Sequence, residues 1–317
     1  MKHLAIGIDI GGTSIKVGFI SEEGKILHRF SMPLSKRIAQ EKMLERLAKE
    51  IKKQIKGQNL KEDDFLGIGI GCPGAIDSKN GICLFAGNLG WKNAGIFSIF
   101  QKHFHLSLRI TNDANAATLG EARFGVGSHY QNLIMLTLGT GVGGGIYLNG
   151  SLYEGNLSQG AELGYMIIEK DGKPCTSGLR GTLETFASAT ALIRITKKHM
   201  RKHPESLLWK EAEGSLKNVG GRTAFRMAKL GDPAALKVVE EYEDGLAIGL
   251  INYCNIFRPE AIILGGGISN EGEYLLVGLR ERMRRMHYGY FGAPEVKLLI
   301  SDLKNDAGMI GAASLVL

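Results

Sequence analysis

Apolar runs separated by glycine turns open the chain. The segment LAIGIDIGGTSIKVGFI, residues 4–20, begins as an apolar strand, breaks at Gly11 and Gly12, and resumes as a second strand. The residues SEEGK then make a turn, and ILHRFSMPL has the pattern of a third strand. We therefore predict that the two glycines lie in a β-hairpin and not between a strand and a helix.

The spacing of apolar residues then changes from every second residue, as in a strand, to every third or fourth residue, as in a helix. Residues 40–56 form a predicted amphipathic helix, because apolar residues recur on one helical face. Residues 65–77, FLGIGIGCPGAID, read as a buried strand that runs into a glycine-proline turn. Residues 106–125 change from strand to helix at Asn112 and Asp113. The apolar face of the first helix comprises Met43, Leu44, Leu47 and Ile51.

The opening pattern returns in the middle of the chain. Residues 132–155, NLIMLTLGTGVGGGIYLNGSLYEG, again read as strand, glycine turn, strand, turn and strand, which indicates an internal duplication. The last third is mostly helical in pattern, apart from the strand AIILGGGIS at 261–269. We expect Ser269 or Asn270 to cap a helix through about Arg285, and the tail to form a final apolar helix.

Composition and cysteine usage are those of a soluble globular enzyme. The 317 residues are 44% hydrophobic and 22% charged, and no apolar run is long enough to span a membrane. The first three residues lead directly into a strand, so the sequence gives no sign of export. The cysteines form no CxxC pair, which favours a reducing cytoplasm. They are Cys72, Cys83, Cys175 and Cys254.

The net charge of +7 is concentrated in two basic runs, at 197–203 and 280–287. One interpretation is a patch that binds nucleic acid. Neither run interleaves aromatic residues on a flat strand surface, however, as RNA-stacking modules do. We therefore favour solvated helix faces, with no nucleic-acid partner and no membrane.

The glycine hairpins are the first candidates for chemistry. Residues 139–144, GTGVGG, fit the dinucleotide pattern GxGxxG, but that site needs a helix directly afterwards and here a β-rich segment follows. A Walker loop is absent from the sequence. Two hairpins remain, each able to present backbone N–H groups to phosphate. The first adds Asp9, a carboxylate able to hold Mg²⁺ through water, and Thr13 at its tip.

In this order, DIGGTSIKVG, LGTGVGGGI and LGGGIS resemble the two phosphate motifs and the adenosine motif of actin-like sugar kinases. The segments GCPGAID, NLGW, TNDANAATLGE and GAELGY narrow the resemblance to the ROK family of repressors and kinases, over about residues 4–313. It implies an α/β, two-lobed actin-like (ribonuclease H-like) ATPase fold with duplicated mixed-sheet domains. The expected lobes are 1–112, completed by a helix at about 305–317, and 113–304. ATP and Mg²⁺ are expected between them.

The resemblance also assigns roles to residues. Asp113 matches the family's catalytic base, although from local sequence alone it could equally be the N-cap of its helix. Repressors of the family carry a helix-turn-helix region before the first phosphate motif; here that motif begins within ten residues of Met1, so we expect no DNA-binding role. The expected nucleotide contacts are Asp9 (also Mg²⁺ through water), Gly11, Gly12, Thr13, Lys16, Gly139, Thr140, Gly141, Gly265, Gly266 and Gly267. The expected sugar contacts are Gly74, Asn88, Asn112, Asp113, Glu162, Tyr165 and Glu184.

One segment departs from the family pattern. Typical members place a histidine after ELG and three cysteines in CxCGxxGC; here Tyr165 replaces the histidine, and CTSGLRGTLE keeps only Cys175. Ser177 and Thr182 hold the other cysteine positions, so we expect no structural zinc. Zinc bound by His203 or His287 has no support from spacing. Since the family histidine also contacts sugar, we hypothesise that Tyr165 takes over that contact.

These observations favour a cytoplasmic, ATP- and Mg²⁺-dependent kinase that phosphorylates the 6-hydroxyl of glucose. AGNLGWKN resembles the glucokinase branch more than the N-acetylmannosamine kinase branch. A kinase for another hexose, an N-acetylhexosamine or a β-glucoside is an alternative, as is a sugar sensor without turnover. The family further implies a homodimer.

Overall fold

The computed structural model describes residues 3–175, 177–286 and 294–317. The chain forms two compact units. The first unit contains the residues up to Gln131, Gly145–Ala161 and Asp302–Leu317; the second contains Asn132–Gly144 and Glu162–Ser301. The lobe boundaries expected from the family resemblance stay a prediction.

The first unit is built on a mixed five-stranded sheet of order β3-β2-β1-β4-β8. Strand β1 pairs antiparallel with β2 and parallel with β4, which in turn pairs parallel with β8. Strands β5, β6 and β7 make a small sheet of their own. The strands are β1 (Leu4–Ile10), β2 (Ser14–Ser21), β3 (Ile26–Pro33), β4 (Phe65–Cys72), β5 (Ala75–Asp77), β6 (Ile82–Ala86), β7 (Trp91–Gly95) and β8 (Ser107–Asn112).

Two helices of this region match the sequence pattern. The predicted amphipathic helix buries the expected face, including Met43, Leu44, Leu47 and Ile51. The strand-to-helix change at Asn112 and Asp113 is also confirmed. The helices are α1 (Gln40–Gly57), α2 (Ile96–Phe100) and α3 (Asp113–Phe124).

A second five-stranded sheet has the order β11-β10-β9-β12-β13. Strand β12 pairs parallel with both β9 and β13. In each sheet the strands run third, second, first, fourth and fifth in chain order, which confirms the predicted duplication. The strands are β9 (Leu133–Leu138), β10 (Val142–Leu148), β11 (Ser151–Tyr153), β12 (Ala261–Gly265) and β13 (Lys297–Ile300).

Several helices follow the first three strands of the second sheet. Within the residues that the structure describes, none is both long and apolar enough to cross a membrane. The helices are α4 (Glu184–Ala187), α5 (Ala189–Lys202), α6 (Leu207–Glu211), α7 (Thr223–Lys229), α8 (Pro233–Phe257) and α9 (Glu273–Met286); α10 (Ala307–Ser314) belongs to the first unit.

The start of α9 differs from the prediction. A 3₁₀ turn occupies Ile268–Glu271, and Gly272 in the left-handed region (φ +62°) separates it from the helix. Ser269 Oγ donates to the Gly266 carbonyl at 2.8 Å, and Asn270 Nδ2 donates to the Gly267 carbonyl at 3.0 Å. The predicted cap at Ser269 or Asn270 is therefore wrong: both side chains bond back to the glycine turn.

Several residues of the two basic runs form ion pairs with nearby carboxylates. Lys198 and His199 both contact Glu241. Arg282 contacts Glu243 at 2.7 Å and Asp244 at 2.6 Å. These ion pairs fit the interpretation of solvated helix faces; the absence of a nucleic-acid partner stays a prediction.

Helix α10 packs against its neighbours backbone to backbone. A Cβ atom at Gly311 would lie 1.6 Å from the Ala116 carbonyl oxygen of α3. A Cβ atom at Gly69 would lie 1.7 Å from the Ala312 carbonyl oxygen of α10. Glycine is therefore required at both contacts. This contact fixes the position of α3, the helix that begins with Asp113.

A buried carboxylate locks the other end of α3. Glu121 is fully buried. Its Oε2 accepts from the Val126 backbone N–H at 3.0 Å, and its Oε1 accepts from the Leu303 N–H at 2.8 Å. Glu121 thus ties the end of α3 to the segment that leads into α10.

We predict that Gly311→Ala lowers the free energy of unfolding by more than about 2 kcal/mol, because the added methyl collides with main-chain atoms that cannot rotate away. Chemical denaturation followed by circular dichroism measures the change. Gly57→Ala is the matched control: this helical glycine has nothing within 4 Å of its Cβ position, so the change should be neutral or stabilising. Equal stability of the Gly311→Ala variant and the wild type would contradict the packing argument.

Candidate active site

The first glycine hairpin ends in an exposed tip beside a carboxylate. The Gly11 N–H donates to the Ser14 carbonyl at 2.9 Å, and Gly12 and Thr13 are exposed. The hairpin prediction is confirmed by the antiparallel pairing of β1 and β2. Exposed backbone N–H groups at such a tip can bind an anion.

Asp9 lies at the end of β1, directly opposite Lys16 on β2. The Lys16 Nζ is 3.6 Å from Asp9 Oδ2 and donates to the Asn305 carbonyl at 2.7 Å. Burial raises the pKa of the Asp9 carboxyl above its usual value, and the Lys16 ammonium offsets part of this rise. Gly308 makes room for the carboxylate, since a Cβ there would lie 3.0 Å from Asp9 Cγ.

Asn112 and Asp113 form the corner between β8 and α3. Asn112 is the N-cap: its Oδ1 accepts from the Ala114 N–H at 2.8 Å, and its Nδ2 donates to the Gly74 carbonyl at 3.2 Å. Asp113 is the first helical residue, and its Oδ1 also accepts from the Ala114 N–H, at 3.0 Å. The alternative in which Asp113 caps the helix is therefore wrong. Its carboxylate is partly exposed at the positive end of the helix dipole.

Gly74 and Asn88 occupy turns of the first unit. Gly74 has φ +91°, and a Cβ atom there would lie 2.1 Å from the Phe85 carbonyl oxygen. Glycine is thus required by the turn itself, and the Asn112 contact brings this turn to the corner. Asn88 is exposed in the turn between β6 and β7.

Sequence reasoning missed Glu154 at this corner. Thr111 Oγ1, one residue before the N-cap, donates to Glu154 Oε1 at 2.5 Å. The Glu154 carbonyl accepts from the Gly160 N–H at 2.7 Å. Glu154 therefore holds both the end of β8 and the loop that precedes Glu162. Because 43 residues separate Thr111 from Glu154, no local pattern could have paired them.

The second glycine turn is anchored by the start of α5. The Gly139 N–H donates to the Gly141 carbonyl at 3.0 Å. The Ala189 N–H donates to the Gly139 carbonyl at 2.8 Å, and Thr190 Oγ1 donates to the Thr140 carbonyl at 2.8 Å. Strand β10 follows directly, as predicted, so the dinucleotide interpretation is excluded. Thr190, also missed by sequence reasoning, belongs to a segment without a recognisable motif.

The third glycine turn, residues 265–267, lies against the second. Gly265 pairs with Thr137 on β9. Gly266 has φ +83°, and a Cβ atom there would lie 2.6 Å from the Leu138 carbonyl oxygen, next to Gly139. The second unit therefore brings two of the predicted nucleotide motifs together.

A carboxylate cluster lies beside the second glycine turn. Glu184 Oε2 accepts from the Val142 N–H at 3.1 Å, and Glu184 Oε1 accepts from the Cys175 thiol at 3.2 Å. Burial, and then the charge of Glu184, raise the pKa of Glu162. Burial raises the pKa of Tyr165 as well, with smaller contributions from Glu184, Glu162 and Cys175. Such carboxylates can accept several hydroxyl hydrogens.

The segment that aligns with the family zinc motif, Tyr165 and residues 175–182, carries other donor types, and the absence of structural zinc stays a prediction. Its four ligand positions hold one thiol, two aliphatic hydroxyls and one phenol, and zinc needs about four nitrogen or sulfur ligands. Thr182, in the third cysteine position, is fully buried, and its Oγ1 has no hydrogen-bond partner among the residues described. The described parts contain no group of three or more potential ligands. His203 contacts Glu205, and His287 lies outside the described residues.

Backbone hydrogen bonds hold this loop closed. The Ile168 N–H donates to the Gly181 carbonyl at 2.8 Å, and the Gly181 N–H donates to the Lys173 carbonyl at 2.8 Å. The Cys175 N–H donates to the Leu179 carbonyl at 2.7 Å. The loop path is thus maintained by the main chain.

Comparisons with known proteins agree with this arrangement. The sequence profile of the ROK family matches residues 5–317. A glucokinase of Thermotoga maritima is 39% identical, over 99% of this chain and 98% of its own length. A ROK family glucokinase of Streptomyces griseus, solved with glucose and AMPPNP, superposes with a TM-score of 0.82 at 35% identity, covering 98% of both chains. A xylose repressor of Caldicellulosiruptor bescii is 32% identical, over 98% of this chain and 77% of its own length.

These matches confirm the predicted α/β fold of the actin-like ATPase type. They cover nearly all of the residues on which the family resemblance was based. The chain belongs to the ROK family.

Proposed function

We propose that this protein is a sugar kinase that transfers the γ-phosphoryl group of ATP to the 6-hydroxyl of glucose. The observation that carries the proposal is the likeness to glucokinases over the full chain, one of which binds glucose and AMPPNP. The glycine hairpins, the corner that carries Asp113, and the carboxylates of Glu162 and Glu184 supply the groups that this reaction needs.

Phosphoryl transfer asks a protein mainly to position the reactants and to neutralise charge. Exposed main-chain N–H groups at Gly12 and Thr13, and the turn at 139–141, bind phosphate oxygens. The ammonium of Lys16 adds a positive charge beside the first hairpin. The remaining members of the nucleotide set are Asp9, Gly11, Gly265, Gly266 and Gly267.

Asp9 fits a hydrated Mg²⁺ ion. Its carboxylate is partly buried, with 18% of the side chain exposed, at the end of a strand beside the phosphate-binding hairpin. Burial alone disfavours its ionised form, and a neighbouring cation favours that form. When bound, Mg²⁺ supplies charge neutralisation at the phosphates.

Asp113 accepts the proton of the attacking hydroxyl. Its carboxylate is accessible, and the rigid contact between α3 and α10 fixes the helix from which it projects. A general base must lie within hydrogen-bond distance of the hydroxyl, so such rigidity favours the role. The N-cap Asn112 uses one amide hydrogen on Gly74 and so offers the sugar at most one donor from that group.

The other sugar contacts are carboxylates and hydroxyl groups. Glu162 and Glu184 accept hydrogens from sugar hydroxyls, and Tyr165 contributes its phenol from the same cluster. An unmatched polar group in such a site costs about 1–3 kcal/mol, so the cluster selects for hydroxyl geometry. Gly74 and Asn88 complete the proposed set from the first unit.

We predict that Asp113→Asn lowers kcat by a factor of about 10² to 10⁴, because the amide cannot accept the proton. A coupled assay of ADP release with a panel of hexoses measures it. Asp63→Asn is the matched control, since this aspartate is exposed in the turn before β4. Wild-type turnover by Asp113→Asn would refute the assignment, and sugar binding by the wild type without ADP release would indicate a sensor.

Tyr165 should contribute to glucose binding through its hydroxyl. We predict that Tyr165→Phe raises the KM for glucose by about twofold to tenfold, the effect of losing one hydrogen bond, and that Tyr165→Ala raises it further. Tyr153→Phe is the control, because Tyr153 is 50% exposed on strand β11. Unchanged glucose KM in both Tyr165 variants would exclude the contact.

The proposed enzyme works without structural zinc. We predict that the purified protein contains less than about 0.1 zinc per chain by elemental mass spectrometry, because its donor set lacks the required ligands. Incubation with a zinc-selective chelator, followed by assay in excess Mg²⁺, should leave activity unchanged. A stoichiometric zinc content would contradict this prediction.

A further inference from the structure

Two donors from separate segments hold the Glu184 carboxylate. The Val142 backbone N–H, at the start of β10, donates to Oε2 at 3.1 Å. The Cys175 thiol donates to Oε1 at 3.2 Å. Cys175 begins the loop 175–182, which aligns with the family zinc motif. Each carboxylate oxygen therefore has its own protein donor, and the two donors together define the plane of the group.

Close packing sets the position of the carboxylate as well. A Cβ atom at Gly141 would lie 2.3 Å from Glu184 Oε2, so this oxygen rests directly against the main chain of the second glycine turn. The carboxylate therefore cannot move closer to Gly141. Rotation about its last side-chain bond is opposed by both hydrogen bonds, the one from Val142 and the one from Cys175.

The loop presents the thiol in a fixed place. The Cys175 N–H donates to the Leu179 carbonyl at 2.7 Å, and the Gly178 N–H donates to the Cys175 carbonyl at 3.1 Å. Gly178 has φ +87°, which closes this tight turn. A donor whose backbone is already ordered loses little conformational entropy when its side chain forms a hydrogen bond.

We propose that Cys175 is a positioning residue for sugar binding: its thiol orients the Glu184 carboxylate, and the loop needs no metal to do so. The inference rests on the proposed function, in which Glu184 accepts hydrogens from the sugar. Removing the thiol leaves the hydrogen bond from Val142 to Glu184 Oε2 in place and removes the donor to Glu184 Oε1. The defect should therefore appear in sugar affinity more than in nucleotide affinity or turnover.

Three variants test the proposal in steady-state kinetics. Cys175→Ala should raise the KM for glucose about threefold to tenfold, with kcat and the KM for ATP changed less than about twofold. Cys175→Ser, which keeps a donor of similar size, should restore most of the lost affinity. Ser177→Ala is the matched control in the same loop, at an exposed position, and should behave as wild type.

Infrared spectroscopy detects the hydrogen bond between Cys175 and Glu184 in the absence of substrate. The S–H stretching band is isolated from other protein bands, and the difference spectrum between wild type and Cys175→Ser assigns it to this thiol. Donation to a carboxylate should shift the band to lower frequency. The shift should disappear in Glu184→Ala.

The two measurements separate the failure of this proposal from failure of the proposed function. A shifted band in a protein that phosphorylates no sugar of the panel would support the hydrogen bond and refute the kinase assignment. An active enzyme whose Cys175→Ala variant keeps the wild-type KM for glucose would overturn the positioning role. Equal defects in the alanine and serine variants would overturn it too, since loop damage and not donor loss would then be the cause.

Discussion

The direct contact of main chain with main chain around α10 is the constraint on which the first unit depends. Glycines in α10 and β4 allow carbonyl oxygens to approach where any side chain would collide, as at Gly311 and Gly69. The contact leaves no layer of flexible side chains between helix and sheet. Asp113, at the start of α3, and Asp9, against Gly308, therefore inherit their positions from the backbone itself. For a reaction that depends on positioning, a rigid support of this kind is an advantage.

Close contacts at glycines also fix positions in the second unit, and there they involve polar side chains as well as the main chain. Its glycine turns lie side by side because a positive φ at Gly266 lets the chain touch the end of β9. Glu184 lies against Gly141, accepts from the Val142 N–H and accepts from the Cys175 thiol, so one carboxylate joins the glycine turn to the loop that contains Cys175. The proposed roles of this unit thus depend on a few contacts that tolerate no added atoms.

Much of the fold was predictable because its signals are local. The period of apolar residues predicted α1 and its buried face, and the strand-glycine-strand pattern predicted the hairpin at Gly11 and Gly12. The cap of α9 was not predictable, since Ser269 and Asn270 are good caps by residue type. Their side chains bond to the preceding glycine turn, and the left-handed Gly272 moves the helix start to Glu273.

By itself, the sequence determined the repeated strand-glycine-strand pattern, because that pattern depends on residue type and short spacing. The resemblance of its short motifs to the ROK family supplied the candidate site residues and the comparison with the family zinc motif. Only the tertiary structure decided which side chains meet. It assigned the cap to Asn112 instead of Asp113, paired Glu154 with Thr111, and joined Cys175 to Glu184. These pairings join segments that are distant or irregular in sequence, and a hydrogen bond depends on where backbone packing places its two atoms. No periodicity along the chain encodes that distance.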